Sequence, residues 1–136
     1  MRKYLLDTNI ISELAKPSPH QNIVDFVIKQ DKAWLSIITV HELNYGLKLL
    51  PEGKRRSQLE ASIENFIEQY ANFIIPIEYQ EAHVAALLRA DARKLGRPCH
   101  LADSLIAGTA KAHDLTVVTR NEKDFRDFGI GVINPW

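Results

Sequence analysis

Five short apolar runs rich in β-branched or aromatic residues, Lys3 to Leu6, Ala33 to Ile37, Phe73 to Ile77, Leu115 to Thr119 and Gly131 to Ile133, set the strongest limit on how this chain can fold. Long stretches whose apolar residues recur at helical spacing separate most of them. Strands joined by helices of crossover length pair side by side in parallel, with helices covering both faces. The pattern therefore predicts an α/β/α sandwich around a central, mostly parallel sheet of four to five strands.

The helical stretches run over Thr8 to Lys16, Gln21 to Lys29, Val40 to Leu50, about Glu52 to Tyr70, Tyr79 to Leu95 and Leu101 to His113. Pro17 and Pro19 end the first, and Gly96 and Pro98 separate the last two. At His113-Asp114 the chain must leave a helix without glycine, and aspartate tolerates the left-handed exit better than most residues. In the fourth stretch Leu59, Ile63, Phe66, Ile67 and Tyr70 share one face, and in the fifth Val84, Leu87, Leu88 and Leu95 do so. Such stripes serve a core or a contact with a partner.

With 136 residues, 46% of them hydrophobic, the chain suits one domain spanning 1–136. Seventeen basic residues balance seventeen acidic ones, so no overall charge steers a nucleic acid toward it, and phosphate recognition has to be local or metal-mediated. The one cysteine, Cys99, excludes an intrachain disulfide and fits a reducing compartment. After the basic Met1-Arg2-Lys3, Asp7 interrupts the apolar run at once, and no later stretch approaches a membrane span. A soluble, cytoplasmic protein with no membrane association is expected.

Four acids stand where a parallel sheet places ligands. Asp7, Glu42 and Asp124 each follow a strand by a few residues, which puts them at the carboxyl rim of the sheet. Asp103 joins them if the start of its helix points to that rim. Each has an ordinary structural explanation as well. Asp7 can cap a helix. Thr39-Val40-His41-Glu42 matches a capping box. Asp103 lies in a first helical turn, where the positive helix end favours an acid, and Asn121 can cap a short helix containing Asp124. Carboxylates gathered together repel one another and need compensation, which a divalent cation supplies. Oxygen ligands without a cysteine–histidine set suit magnesium or manganese rather than zinc. None of His20, His41, His83, His100 and His113 falls in a metal-binding motif.

Four segments in this order, Tyr-Leu-Leu-Asp-Thr-Asn, Ser-Ile-Ile-Thr-Val-His-Glu-Leu, Leu-Ala-Asp-Ser-Leu-Ile-Ala and Leu-Thr-Val-Val-Thr-Arg-Asn-Glu-Lys-Asp-Phe, make the chain resemble PIN-domain ribonuclease toxins of the VapC/FitB group along essentially its whole length. The resemblance implies a PIN fold, magnesium- or manganese-dependent endoribonuclease activity and the toxin role in a type II toxin–antitoxin pair. By position it makes Asp7 and Asp103 the principal metal-holding acids, Glu42 the acid of the second motif and Asp124 the more variable fourth. Thr8, Asn9, Thr119 and Asn121 match supporting polar positions. It further implies a homodimer, assembled with a cognate antitoxin, and an RNA substrate such as a transfer or ribosomal RNA loop. Pro98-Cys99-His100 and Asp114 depart from the usual pattern without touching the four acids.

The reaction expected of such a site is hydrolysis of an RNA phosphodiester by water activated at one or two divalent ions. Lys54-Arg55-Arg56, the Arg89, Arg93, Lys94, Arg97 group and Arg120 are the basic residues available for RNA, and Arg120, inside the fourth motif, is the best placed. An aspartyl phosphatase would want a second acid where the chain has Asn9, and a receiver would want an adjacent acidic pair and a late lysine. A PIN-like RNA-binding or scaffold module without catalysis is the remaining alternative, and the four acids speak against it.

Overall fold

The computed structural model describes residues 2–136, so Met1 of the basic start lies outside the described residues. Five strands form one parallel sheet: β1 (Tyr4–Leu6), β2 (Ala33–Ser36), β3 (Ile74–Ile75), β4 (Thr116–Val118) and β5 (Val132–Ile133), in the spatial order β3-β2-β1-β4-β5. Around them lie α1 (Thr8–Leu14), α2 (Gln21–Lys29), α3 (Ile37–Leu49), α4 (Lys54–Gln69), α5 (Tyr79–Lys94), α6 (Leu101–Ala112) and the single turn α7 (Glu122–Phe125).

Alternation along the strands sends successive side chains to opposite cores. Leu5 and Val117 face α5 and α6, with Leu88, Ala92, Ile106, Ala107 and Phe125. Leu6, Leu35 and Val118 face the other layer, with Ile10, Ile23, Leu43 and Ile63 from α1 to α4. Register agrees with this, since Leu5 pairs with Val117 and Leu6 with Val118. Both faces are covered, so the strands read as continuous apolar runs.

Two boundaries carry information. The third helix begins at Ile37 rather than Val40, because Ser36 caps it by accepting from the Ile38 amide at 3.0 Å. Ile37 and Ile38 look like strand residues by composition, yet the serine ahead of them turns the backbone. At the far end of α6 the chain leaves through Asp114 with φ +54°, the left-handed exit expected there.

The apolar face of α4 is used internally: Ile63 is buried and Leu59, Phe66, Ile67 and Tyr70 pack on the second core. Large apolar side chains that remain exposed include Ile37, Tyr45 and Leu49 on α3 and Tyr79 and Leu87 on α5. Among the described residues no helix is long and apolar enough to cross a membrane.

Helices α5 and α6 pack closely because Gly108 faces Ala85. A Cβ added at Gly108 would stand 2.7 Å from the Ala85 backbone, so any side chain there forces the helices apart. Gly108→Ala is expected to destabilise the fold by about 1 to 3 kcal/mol despite alanine's better helix propensity. Urea denaturation followed by circular dichroism measures the change, and an unchanged or raised midpoint would contradict the packing.

Candidate active site

The strand order reverses between β1 and β4, and in open parallel sheets the crevice beyond the strand ends at such a switch is the natural ligand site. Asp7 leaves β1 and Thr119 leaves β4 at that point. Their backbones are joined to the sheet by the Asp7 amide donating to the Val118 carbonyl at 2.9 Å and the Thr119 amide to the Ile133 carbonyl at 2.9 Å.

Asp7 is 6% exposed and fully engaged. Its Oδ1 accepts from the Thr8 amide at 2.8 Å, the helix-cap bond anticipated for it. Its Oδ2 accepts from the Thr119 hydroxyl at 2.8 Å and from Asn9 Nδ2 at 3.1 Å, which no cap requires. The Asn121 amide in turn donates to Thr119 Oγ1 at 3.0 Å, and the Arg120 amide to Asn9 Oδ1 at 3.2 Å. Thr119 and Asn9 thus tie the acid to the loop after β4. Asn121 contributes its backbone here, and its side chain makes no cap bond to α7.

Glu42 does not serve the capping box suggested by Thr39. The helix is already capped by Ser36, and Thr39 is fully buried. Glu42 Oε1 instead accepts from the Thr8 hydroxyl at 2.7 Å, while Thr39 Oγ1 lies 3.2 Å from that same hydroxyl. Glu42 is therefore held toward Asp7 from the neighbouring helix. Thr39 belongs to the site as a support, a role hidden in sequence by its plausibility as a cap.

Helix α6 leads into β4 and runs antiparallel to it, so its first turn stands at the same rim as Asp7. Burial lifts the Asp103 carboxyl to about 6, aided by the negative charges of Asp124, Asp7 and Glu42 and opposed by His100. Asp7 is also raised, first by burial, against the lowering effect of its bonds from Thr119 and Thr8, with Glu42 and Asp124 pushing further upward. Four acids spread over nearly the whole chain thus act on one another electrostatically. Asp103 and Asp124 line one cleft of about 180 Å³ together with Arg97, Cys99, His100 and Lys123.

Among the expected basic residues, Arg120 sits at this rim, its guanidinium 5.2 Å from the centre of the Trp136 ring. Arg97 reaches the cleft but is paired with Asp127 at 2.8 Å. Lys54-Arg55-Arg56 begins α4, in the layer of α1 to α4, and contributes nothing to the acid cleft. Lys123 and Arg126, which the sequence alone does not single out, also flank Asp124, the first beside it in α7 and the second just after that helix.

Thr119→Val is expected to destabilise the protein by about 1 to 3 kcal/mol, since the Asn121 amide and Asp7 Oδ2 each lose a partner in a buried setting. Thermal or urea denaturation reads this directly. A valine variant as stable as the parent would show that the hydroxyl holds nothing.

The PIN domain family model matches residues 4–131. Toxin FitB of Neisseria gonorrhoeae is 40% identical over 136 residues, covering 97% of each chain. A tRNA(fMet)-specific endonuclease VapC of Shigella flexneri is 31% identical, covering 95% of this chain and 94% of the relative. The crystal structure of FitAcB from Neisseria gonorrhoeae superposes with a TM-score of 0.89 at 38% identity over 98% of both chains. The chain belongs to the PIN-domain family, in its VapC/FitB group.

Proposed function

We propose that this protein is a divalent-metal-dependent endoribonuclease that hydrolyses RNA phosphodiester bonds and serves as the toxin of a type II toxin–antitoxin pair. The observation that carries the reading is the gathering of Asp7, Glu42, Asp103 and Asp124 at one rim of the sheet, where burial first, and then the charges of Asp124, Asp7 and Glu42, lift the Asp103 carboxyl to about 6 against a lowering by His100. Acids kept in that state call for a cation. Two relatives, a toxin and a tRNA(fMet)-specific endonuclease, point the same way.

The donor set fits a hard ion. It offers carboxylate oxygens, with neutral hydroxyls and amides behind them, and no thiolate or histidine pair. Among the described residues no three acids or histidines stand close enough to enclose a bare ion. Magnesium suits such an open rim because it keeps several of its waters and takes only one or two carboxylates directly. Asp7 and Asp103 would hold it, with Glu42 and Asp124 completing the shell through water, and the ion would supply Lewis-acid stabilisation of the phosphate.

The protein's own groups do the positioning. Thr119, Asn9 and the Thr8 amide fix Asp7 in one rotamer, and the Thr8 hydroxyl fixes Glu42. The recessed Asp7 favours a single-stranded loop, which can be threaded to it where a duplex cannot. The exposed apolar residues of α3 and α5 offer surfaces for a second copy and for the antitoxin.

The direct test incubates the purified protein with total RNA in magnesium, in manganese and in EDTA, and maps the new ends. Discrete metal-dependent cuts are expected. Intact RNA under all conditions, from a folded protein free of antitoxin, would overturn the proposal.

A further inference from the structure

Beside the acid cleft lies a second groove of about 360 Å³, lined by Arg120, Asn121, Glu122, Lys123, Asp124 and Arg126. It shares Lys123 and Asp124 with the cleft that holds Asp103, so the two run together at α7. We propose that this groove grips the backbone phosphates of single-stranded RNA next to the bond to be cut, and that Trp136 presets Arg120 for that grip. The inference rests on the nuclease reading and names the side chains that hold its substrate.

Charge is the first argument. The chain carries 17 basic and 17 acidic residues, so it has no general attraction for RNA, and its acid rim repels phosphate. Cations next to that rim must supply the contact. Arg120, Lys123 and Arg126 are exposed and form no salt bridge among the described residues, whereas Arg97 is already paired with Asp127. Of the two acids in the groove, Asp124 belongs to the catalytic cluster. The other, Glu122, is occupied, since its Oε1 accepts from Asn134 Nδ2 at 3.1 Å.

The second argument is preorganisation. The loop bearing Arg120 is fastened by its own amide donating to Asn9 Oδ1 and by its carbonyl accepting from Asn134 Nδ2 at 3.4 Å. Trp136 is fastened too, its amide donating to Asn134 Oδ1 at 3.0 Å and its carbonyl accepting from Asn22 Nδ2 at 3.2 Å. A guanidinium held over an indole ring by cation–π attraction, as Arg120 is at 5.2 Å from the Trp136 ring centre, keeps its donors free for a phosphate while its side-chain freedom is already reduced. Through Asn9 the same loop is tied to Asp7, so the grip and the acid rim move as one unit.

The test measures binding of a labelled single-stranded oligoribonucleotide by fluorescence anisotropy across a salt series, in magnesium, using the full chain with Asp7→Asn so that the probe stays intact. Lys123→Ala and Arg126→Ala, added singly, are each expected to weaken binding about five-fold and to lower the slope of log affinity against log salt by about 0.7. Arg120→Lys keeps the charge but loses the guanidinium's forked donors and weakens its cation–π contact with Trp136, so affinity falls about two- to five-fold while the slope stays. Trp136→Phe is expected to behave like Arg120→Lys. Unchanged affinity and slope in all four variants, with the parent protein still cutting RNA, would overturn the groove and leave the nuclease reading intact. Binding that follows the expected pattern in a protein that never cuts RNA would instead overturn the nuclease reading alone.

Discussion

A folded Asp7→Asn protein is expected to cut RNA at least about 100-fold more slowly than its parent, with little change in thermal stability. The first half follows from charge. Asparagine keeps the size of Asp7 but removes the formal charge that would hold the ion, and loss of Lewis-acid stabilisation worth several kcal/mol corresponds to two or more decades in rate. The second half follows from balance. Burial raises the Asp7 carboxyl, so its charge is already unfavourable in the fold. An amide relieves that, but presents Nδ2 to Asn9 Nδ2, where Oδ2 accepted at 3.1 Å. A lost bond is worth about 1 kcal/mol, of the same order as the relief. Gel assays of RNA cleavage and a thermal melt, run on the same preparation, check both halves. Undiminished cleavage by the asparagine protein would remove Asp7 from the reaction.

Much of this site could be read before the fold was known, and what could not has a common cause. Leu5-Leu6 and Val117-Val118 announced themselves as strands because both faces of the sheet are buried, and that fixed where Asp7 and Asp124 had to emerge. Asp103 was legible in type but not in place, since only the antiparallel run of α6 into β4 brings its first turn to the rim. The start of α3 was misplaced because Ile37 and Ile38 favour strands by their branching, and one serine cap outweighed them. Thr39 is hidden for the related reason that a local pattern, the capping box, already explains it. Its partner, the Thr8 hydroxyl, lies 31 residues away, and Trp136 meets Arg120 across the loop and β5. Contacts of that kind belong to tertiary packing, and no spacing rule announces them.

Burial of Asp103, with the other acids beside it, also weakens the metal-free protein, and Asp103→Asn should reveal it. The folded carboxyl sits at about 6 against 3.8 for the free side chain. A folded pKa above the unfolded one means the native state holds its proton longer, so ionisation costs stability as pH rises from about 3.8 to about 6. Below that window the group is neutral in both states and the cost is absent, and above it the cost is complete. At face value the shift corresponds to roughly 3 kcal/mol, and water reaching this half-buried side chain screens it to about 1 to 2 kcal/mol. In EDTA, Asp103→Asn is therefore expected to melt several degrees higher than the parent at pH 7 to 8, with the gap closing near pH 4. Magnesium or manganese should reverse the order. An ion bound by the parent stabilises it according to its affinity, and the asparagine protein, lacking one of the proposed ligands, is expected to gain less. An asparagine protein that melts below its parent at pH 8 in EDTA would mean that Asp103 stabilises the apo fold. Equal gains on adding manganese would remove Asp103 from the ion's ligands.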